Sequence, residues 1–397
     1  LAVAGIQWCS KRWHEARILH LHLTKFNAEQ LAAALSVGPP SAQLRKLKEL
    51  HFYCKPDSDR CITMLTWLLS GISGLEVLSC RTFPKLFYFP PLVALKHLLL
   101  GCHDLTGLAK LLRGLPLLET LSVKGVLEEE DGANDEDSGP AHLPVLDLCS
   151  NTRLTHVFLY DVTVGRLSAA RSCQISLRVL DEASLEQYDL AQVAPNLHAL
   201  SWWAHEPVGC RALQRLQLCT ALSVLDLRVS YAGIGRAAKP VRLSGALARL
   251  QQCSLYTAHD MHVAVPALVQ WQFFKAWSRG SLHIAFEDVR HFARTVETIA
   301  LSSKNLCTSG TRQILCSALS MAGKTWDDSR GDYGGTFDGY SVVSLPGVGP
   351  PLERDLSNVL RHVVCKCGAC LKCLVRRGVL SPLSEYCLAL THHPAVW

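Results

Sequence analysis

The stretch LKHLLLGCHDLTGLAKLLRGLPLLETLSV, from Leu95 to Val123, holds two hydrophobic rhythms in succession. Leu95, Leu98 and Leu100 follow the pattern Leu-x-x-Leu-x-Leu. The last two are two apart, the spacing of side chains on one face of a strand. Leu105, Leu108, Leu111, Leu112 and Leu115 then recur at intervals of three and four, which lines one side of a helix. Gly114 and Pro116 are stop signals for that helix. Leu118, Leu121 and Val123 restart the triplet. A strand, a turn, a helix and a new strand fit into 23 residues. Each such unit buries too little alone, so neighbours must stack into one continuous core.

Triplets of the same form also begin at Ile18, Leu47, Leu75, Leu154, Leu177, Leu197, Leu222, Leu247, Leu268 and Val296, twelve in all. The steps between starts run from 20 to 29 residues, with one of 36. That step carries the hydrophilic insert Glu128–Gly139, and without those 12 residues it falls to 24. The pattern resembles the leucine-rich repeat family over residues 18–305. The family's ninth position favours Asn or Cys. Asn151 stands there relative to Leu143, whereas His103 (with Cys102 just before it) and Ser230 stand there in two other units. The triplets at Leu177 and Leu247 are degenerate, with Glu182 and Gln252 at the third apolar site. The resemblance implies an α/β leucine-rich repeat solenoid, a horseshoe with a parallel concave sheet and convex helices. Positions one, four and six of each triplet point into the core. Intervening residues such as Lys96 and Leu99 face the concave surface or neighbouring structure.

The chain of 397 residues is 49% hydrophobic and 19% charged, which supplies a large core and excludes global disorder. No run of 18 apolar residues occurs, so no transmembrane helix and no membrane association are expected. No signal peptide is evident, and the start at Leu1 rather than Met is read as the mark of either a fragment or an incomplete gene model. The 17 cysteines are odd in number, and Cys54, Cys80, Cys102, Cys219 and Cys253 sit in or just after triplets, as small apolar residues. That usage suits a reducing compartment, cytoplasmic or nuclear. The net charge is +6, and setting it against the seven carboxylates of the insert leaves about +13 on the rest. The basic residues form only small pairs with no aromatic interleaving, so a nucleic-acid partner is not expected. The insert reads as a soluble loop, with a dock for a basic partner as the alternative.

At the N-terminus, CSKRWHEA resembles the last helix of an F-box, with Cys9 and Trp13 four apart on one helical face. Residues 1–17 are therefore either the end of an F-box or an ordinary cap on the first repeat. The F-box resemblance implies a ligase adaptor as partner, bound through a segment preceding Leu1.

Beyond Leu301 the triplets fade. Residues 306–351 read as an irregular Gly/Pro-rich loop, with Gly323–Tyr340 rich in Gly and Asp. Pro350 and Pro351 lead into a helix from Leu352, and residues 352–397 form a Cys-rich helical cap. Cys365, Cys367, Cys370 and Cys373 are four thiols within nine residues, a ligand set for Zn²⁺ or an iron–sulfur centre. Cys370, Cys373, Cys387 and His392 form a rival zinc set. A packed helix is the competing reading, because Cys367, Cys370 and Cys373 share one helical face, with Arg376 and Arg377 near its C-terminal end.

No hydrolase, kinase or metalloprotease signature is present, and the chain is read as non-enzymatic. His283, Glu287 and His291 would share a helical face if that segment is helical, a weak metal set. Trp202 and Trp203 fall within one triplet. Trp202 is expected in the core, and Trp203 either projects as a partner-binding anchor or packs beneath a loop. Together these features point to a scaffold whose concave face binds a protein partner. The F-box resemblance narrows this to the substrate-recognition subunit of a cullin-type ubiquitin ligase. A repeat scaffold without ubiquitin chemistry and a C-terminal zinc module are the alternatives.

Overall fold

A computed structural model describes residues 18–21, 47–52, 66, 69–83, 90–102, 105, 107–125, 145–162, 164, 166–179, 193–204, 216–229, 241–242, 247–257, 260–267, 269–305, 309–323 and 340–343. The chain divides into two compact units, Leu1–Gln174 with Lys366–Trp397, and Ile175–Cys365. Both units are α/β with parallel sheets.

In the first unit six strands follow one another as parallel neighbours. They are β1 (Ile18–Leu21), β2 (Glu49–Phe52), β3 (Val77–Phe83), β4 (His97–Cys102), β5 (Thr120–Gly125) and β7 (His156–Tyr160). The register aligns Leu19, Leu50, Leu78, Leu98, Leu121 and Val157 in one row. Leu50, Leu78, Leu98, Leu121 and Val157 are all buried, as are Leu100, Val123 and Leu159 two positions on. Each leucine taken fully from water this way contributes roughly 1.5–3 kcal/mol.

Backbone hydrogen bonds repeat with the same period. In several rungs the residue after the first leucine offers its carbonyl to two N–H groups of the next rung. The Lys96 carbonyl accepts from Glu119 and Thr120 at 2.7 and 3.0 Å, and the Glu119 carbonyl accepts from Thr155 and His156 at 2.9 and 3.2 Å. A turn precedes each strand, in which the N–H of the first leucine donates to the carbonyl three residues earlier. Leu95 to Leu92 (3.0 Å) and Leu154 to Asn151 (2.9 Å) are examples.

Behind this sheet lie the helix α1 (Leu108–Arg113) and a two-stranded parallel pair, β6 (Val145–Asp147) with β8 (Arg166–Ser168). The helix expected over Leu105–Leu115 is present and buries Leu108 and Leu112. The short strand β6 stands between β5 and β7, and β8 follows β7; most of the other connecting segments lie outside the described residues.

The second unit continues the plan with β9 (Gln174–Val179), β10 (Leu197–Ala204), β11 (Val224–Val229), β13 (Gln252–Thr257), β15 (Phe273–Phe286) and β16 (Thr298–Asn305), all parallel. The aligned rows are Leu177, Leu200, Leu225, Cys253, Phe274, Ile299 and Val179, Trp202, Leu227, Leu255, Ala276, Leu301, all buried. The strand β15 runs for 14 residues, past a register shift between Ser278 and Ser281. Its far half pairs with β14 (Met261–Val265), which pairs with β12 (Val241–Arg242). The helix α2 (Val289–Thr295) starts at Asp288, whose carboxylate accepts the His291 N–H at 2.9 Å. Its Phe292 closes an aromatic cluster with Trp271, Phe274 and Phe286.

Two expectations change. The segment 306–351 is not wholly irregular: it contains α3 (Ser309–Met321), which buries Leu315, Ala318 and Leu319, and β17 (Tyr340–Val343), antiparallel to β16. The register also moves four triplet frames. At Leu177, Leu247 and Leu268 the strand positions lie three residues from those starts. Leu250, Cys253 and Leu255 make the rung, and so do Trp271, Phe274 and Ala276, whereas Leu177 is itself the fourth position. At Ile18 the aligned residues are Leu19 and Leu21.

Candidate functional site

Alternate residues along each strand point away from the leucine core, and the two units treat this second face differently. In the first unit its middle is buried. Leu99 and Phe158 keep 2% and 1% of their exposure, and Ser79, His97, Thr120 and Ser122 are buried beside them. Leu99 thus packs inside rather than lining an open surface, as parallel sheets covered on both sides require. Burial lowers the His97 pKa below the ordinary histidine value.

In the second unit the same face is half open. The strand β13 alternates buried and partly exposed residues along its length. The register sets out two rows there. One runs Arg178, Ser201, Asp226, Ser254, Lys275. The other runs Trp203, Arg228, Tyr256, Trp277. The rings of Tyr256 and Trp277 stack with centroids 4.0 Å apart. The Arg228 guanidinium lies 3.3 Å from the Asp226 carboxylate, which also accepts from the Ser201 hydroxyl at 3.3 Å. Lys275 lies two strands from Asp226 and has no hydrogen-bond or ion-pair partner among the described residues. Burial first, then the neighbouring Arg228 charge, lowers its pKa below the ordinary lysine value, and Asp226 opposes this. Among the described residues the charged side chains of these rows are Arg178, Arg228, Lys275 and Asp226, with the Tyr256–Trp277 stack alongside.

Trp202 is buried in the core, as its triplet position requires. The backbone of Trp203 lies in the row of Tyr256 and Trp277, opposite Arg228. Arg228, Tyr256, Lys275 and Trp277 were not singled out from sequence. Their signal was the two-residue alternation in LDLRV, CSLYT and FFKAW, legible once Cys253 and Phe274 are taken as core positions.

His283, Glu287 and His291 do not share a helical face. His283 is in β15, Glu287 follows that strand, and His291 is in α2. Glu287 instead accepts the Ala267 N–H at 3.0 Å, and the His291 ring meets the Val269 carbonyl at 3.2 Å. His283 stacks on His262 of β14, with ring centroids 4.5 Å apart. No cluster of three or more metal-ligating side chains occurs among the described residues. Cys365, Cys367, Cys370 and Cys373, the rival set with Cys387 and His392, and the N-terminal Cys9 and Trp13 all lie outside them.

Cys80, Cys173, Cys219 and Cys253 are free, buried thiols. Burial pushes the Cys173 thiol up to about 12 and Cys219 to about 11, which makes them inert packing groups. No helix among the described residues is long and apolar enough to cross a membrane. Comparison of the chain with protein-family models and with curated proteins finds no match to either.

Proposed function

We propose that the chain is a non-enzymatic protein-interaction scaffold. In this reading it is a leucine-rich repeat solenoid, a horseshoe whose parallel concave sheet receives a protein partner. The observation that carries it is the half-open face of β10, β11, β13 and β15. There charged and aromatic side chains stand in register on a rigid sheet, the arrangement of an interface with a few anchors. The recurring carbonyl ladder and aligned leucine rows support the solenoid itself.

The likeness of CSKRWHEA to the end of an F-box narrows the role to substrate recognition in a cullin-type ubiquitin ligase, in the cytoplasm or nucleus. The free buried thiols suit such a reducing compartment. The test is co-purification of the full-length protein with the ligase adaptor, followed by recovery of ubiquitin-modified partners. Absence of the adaptor from a stable, folded preparation sinks the ligase role. Loss of all partner recovery sinks the scaffold role.

A further inference from the structure

We infer that the half-open face of the second unit binds an acidic, extended segment of a partner protein, with a carboxylate held by Lys275 and Arg228 and an apolar side chain packed against the Tyr256–Trp277 stack. This rests on the interaction-scaffold reading and specifies its ligand.

The charge balance argues for the sign. Among the described residues of these two rows, Arg228 and Lys275 stand near one carboxylate, Asp226. Asp226 is already engaged by Ser201 and Arg228. Lys275 is partly buried and has no partner among the described residues, so an incoming carboxylate gives it the charge-assisted bond it lacks. A second cation beside it disfavours a basic ligand.

The geometry argues for an extended chain. Lys275 and Trp277 are two apart on β15, hence on the same face, and Arg228 and Tyr256 are register partners on the next two strands. Neighbouring strands lie about 4.8 Å apart, so these groups span a few residues of extended peptide. The stacked rings offer apolar surface beside the cations, suited to packing against proline or an aromatic residue.

The test uses the full chain and four fluorescein-labelled probes: a short peptide of Asp, Glu, Pro and Phe; the same peptide with Asn and Gln for the acids; the same with Lys; and a single-stranded oligonucleotide. Fluorescence anisotropy should show the acidic peptide binding best, with affinity falling as salt rises. Lys275→Met should weaken it about tenfold, and Trp277→Ala should weaken the acidic and neutral peptides alike. Lys275→Glu should shift preference toward the Lys peptide. Should a variant fail to fold, the salt dependence and probe order of the unaltered chain still decide. Equal binding of the neutral peptide, or tighter binding of the oligonucleotide, overturns the inference. A photo-crosslinker placed at Tyr256 in cells separates the two levels. Cross-links to protein segments without carboxylates overturn the acidic ligand but leave the scaffold standing. No protein cross-links at all overturn both.

Discussion

The rings of Tyr256 and Trp277 lie parallel within 1°, with centroids 4.0 Å apart, on neighbouring strands whose register pairs the two residues. Offset stacks of this kind contribute about 0.5–1.5 kcal/mol beyond buried area. A double-mutant cycle with Tyr256→Ala and Trp277→Ala, read by urea unfolding, should therefore show a coupling of about 1 kcal/mol. Strict additivity would mean the rings merely share a surface. The same pair belongs to the proposed binding face, so the cycle also measures how firmly that part of it is preorganised.

Gly125 closes β5 where the chain leaving β7 passes close by. A Cβ at this position would sit 1.9 Å from the Asp161 carbonyl oxygen, and Asp161 itself adopts a left-handed φ of 54°. Backbone rather than a flexible side chain blocks the space, so Gly125→Ala must displace one strand end. The expected cost is about 1–3 kcal/mol. At Gly114 the nearest atom to an added Cβ is the Leu111 carbonyl oxygen at 3.3 Å, so Gly114→Ala should be much milder. Thermal unfolding of the two variants side by side checks this, and equal losses would refute the steric account.

The rungs at Leu95 and Leu118 were legible in the sequence down to the residue. The helix between them was legible too, because strand and helix periods alternate cleanly there. The frames at Leu247 and Leu268 were not, for a physical reason. The turn before each strand buries an apolar residue three positions ahead of the first leucine, as Leu247 precedes Leu250 with a 2.9 Å hydrogen bond. Leu-x-x-Leu then fits both the turn and the strand, and only register with the next strand separates them. That three-residue slip hid Tyr256 and Lys275, which fall outside the misplaced triplets. The covered second face of β3 and β5 was illegible for another reason. Ser79, Thr120 and Ser122 read as solvent-facing, yet each is small enough to pack beneath other structure. The helix α3 was missed because its buried Leu315, Ala318 and Leu319 follow a Gly-containing start and precede a long Gly/Asp-rich stretch.

Asn151 joins two elements behind the sheet. Its side-chain N–H₂ donates to the Leu112 carbonyl at 2.9 Å and to the Leu115 carbonyl at 3.2 Å, satisfying acceptors at the end of α1. Asn151 is buried, so Asn151→Ala leaves both carbonyls without this donor and should cost about 2 kcal/mol. Asn151→Asp should cost more at neutral pH, because a carboxylate would face two carbonyl oxygens, and part of the loss should return on acidification. A denaturation series across pH reads both effects. An aspartate variant as stable as the parent chain would show that the two hydrogen bonds carry little.

Glu76 is held between two lysines, with its carboxylate 2.7 Å from Lys48 and 2.7 Å from Lys96, all three at the second position of consecutive rungs. Hydrogen bonds from Lys48, then Lys96, hold the Glu76 pKa at about 2, against 4.5 for an unpaired glutamate. A depressed folded pKa contributes stability that is fully present above the unfolded value and is lost as pH falls toward the folded one. The window is therefore from about pH 4.5 down to about 2. The lysine side chains are 47% and 40% exposed, so solvent screening reduces the effect well below the nominal shift. Glu76→Gln should destabilise by about 1 kcal/mol near pH 7 at low salt, and by less at high salt. The gap between variant and parent should stay flat above about pH 5 and narrow below about 4.5. Chemical denaturation at stepped pH and two salt concentrations makes the comparison. A gap that widens on acidification, or that ignores salt, would show that Glu76 acts through packing rather than through its two ion pairs.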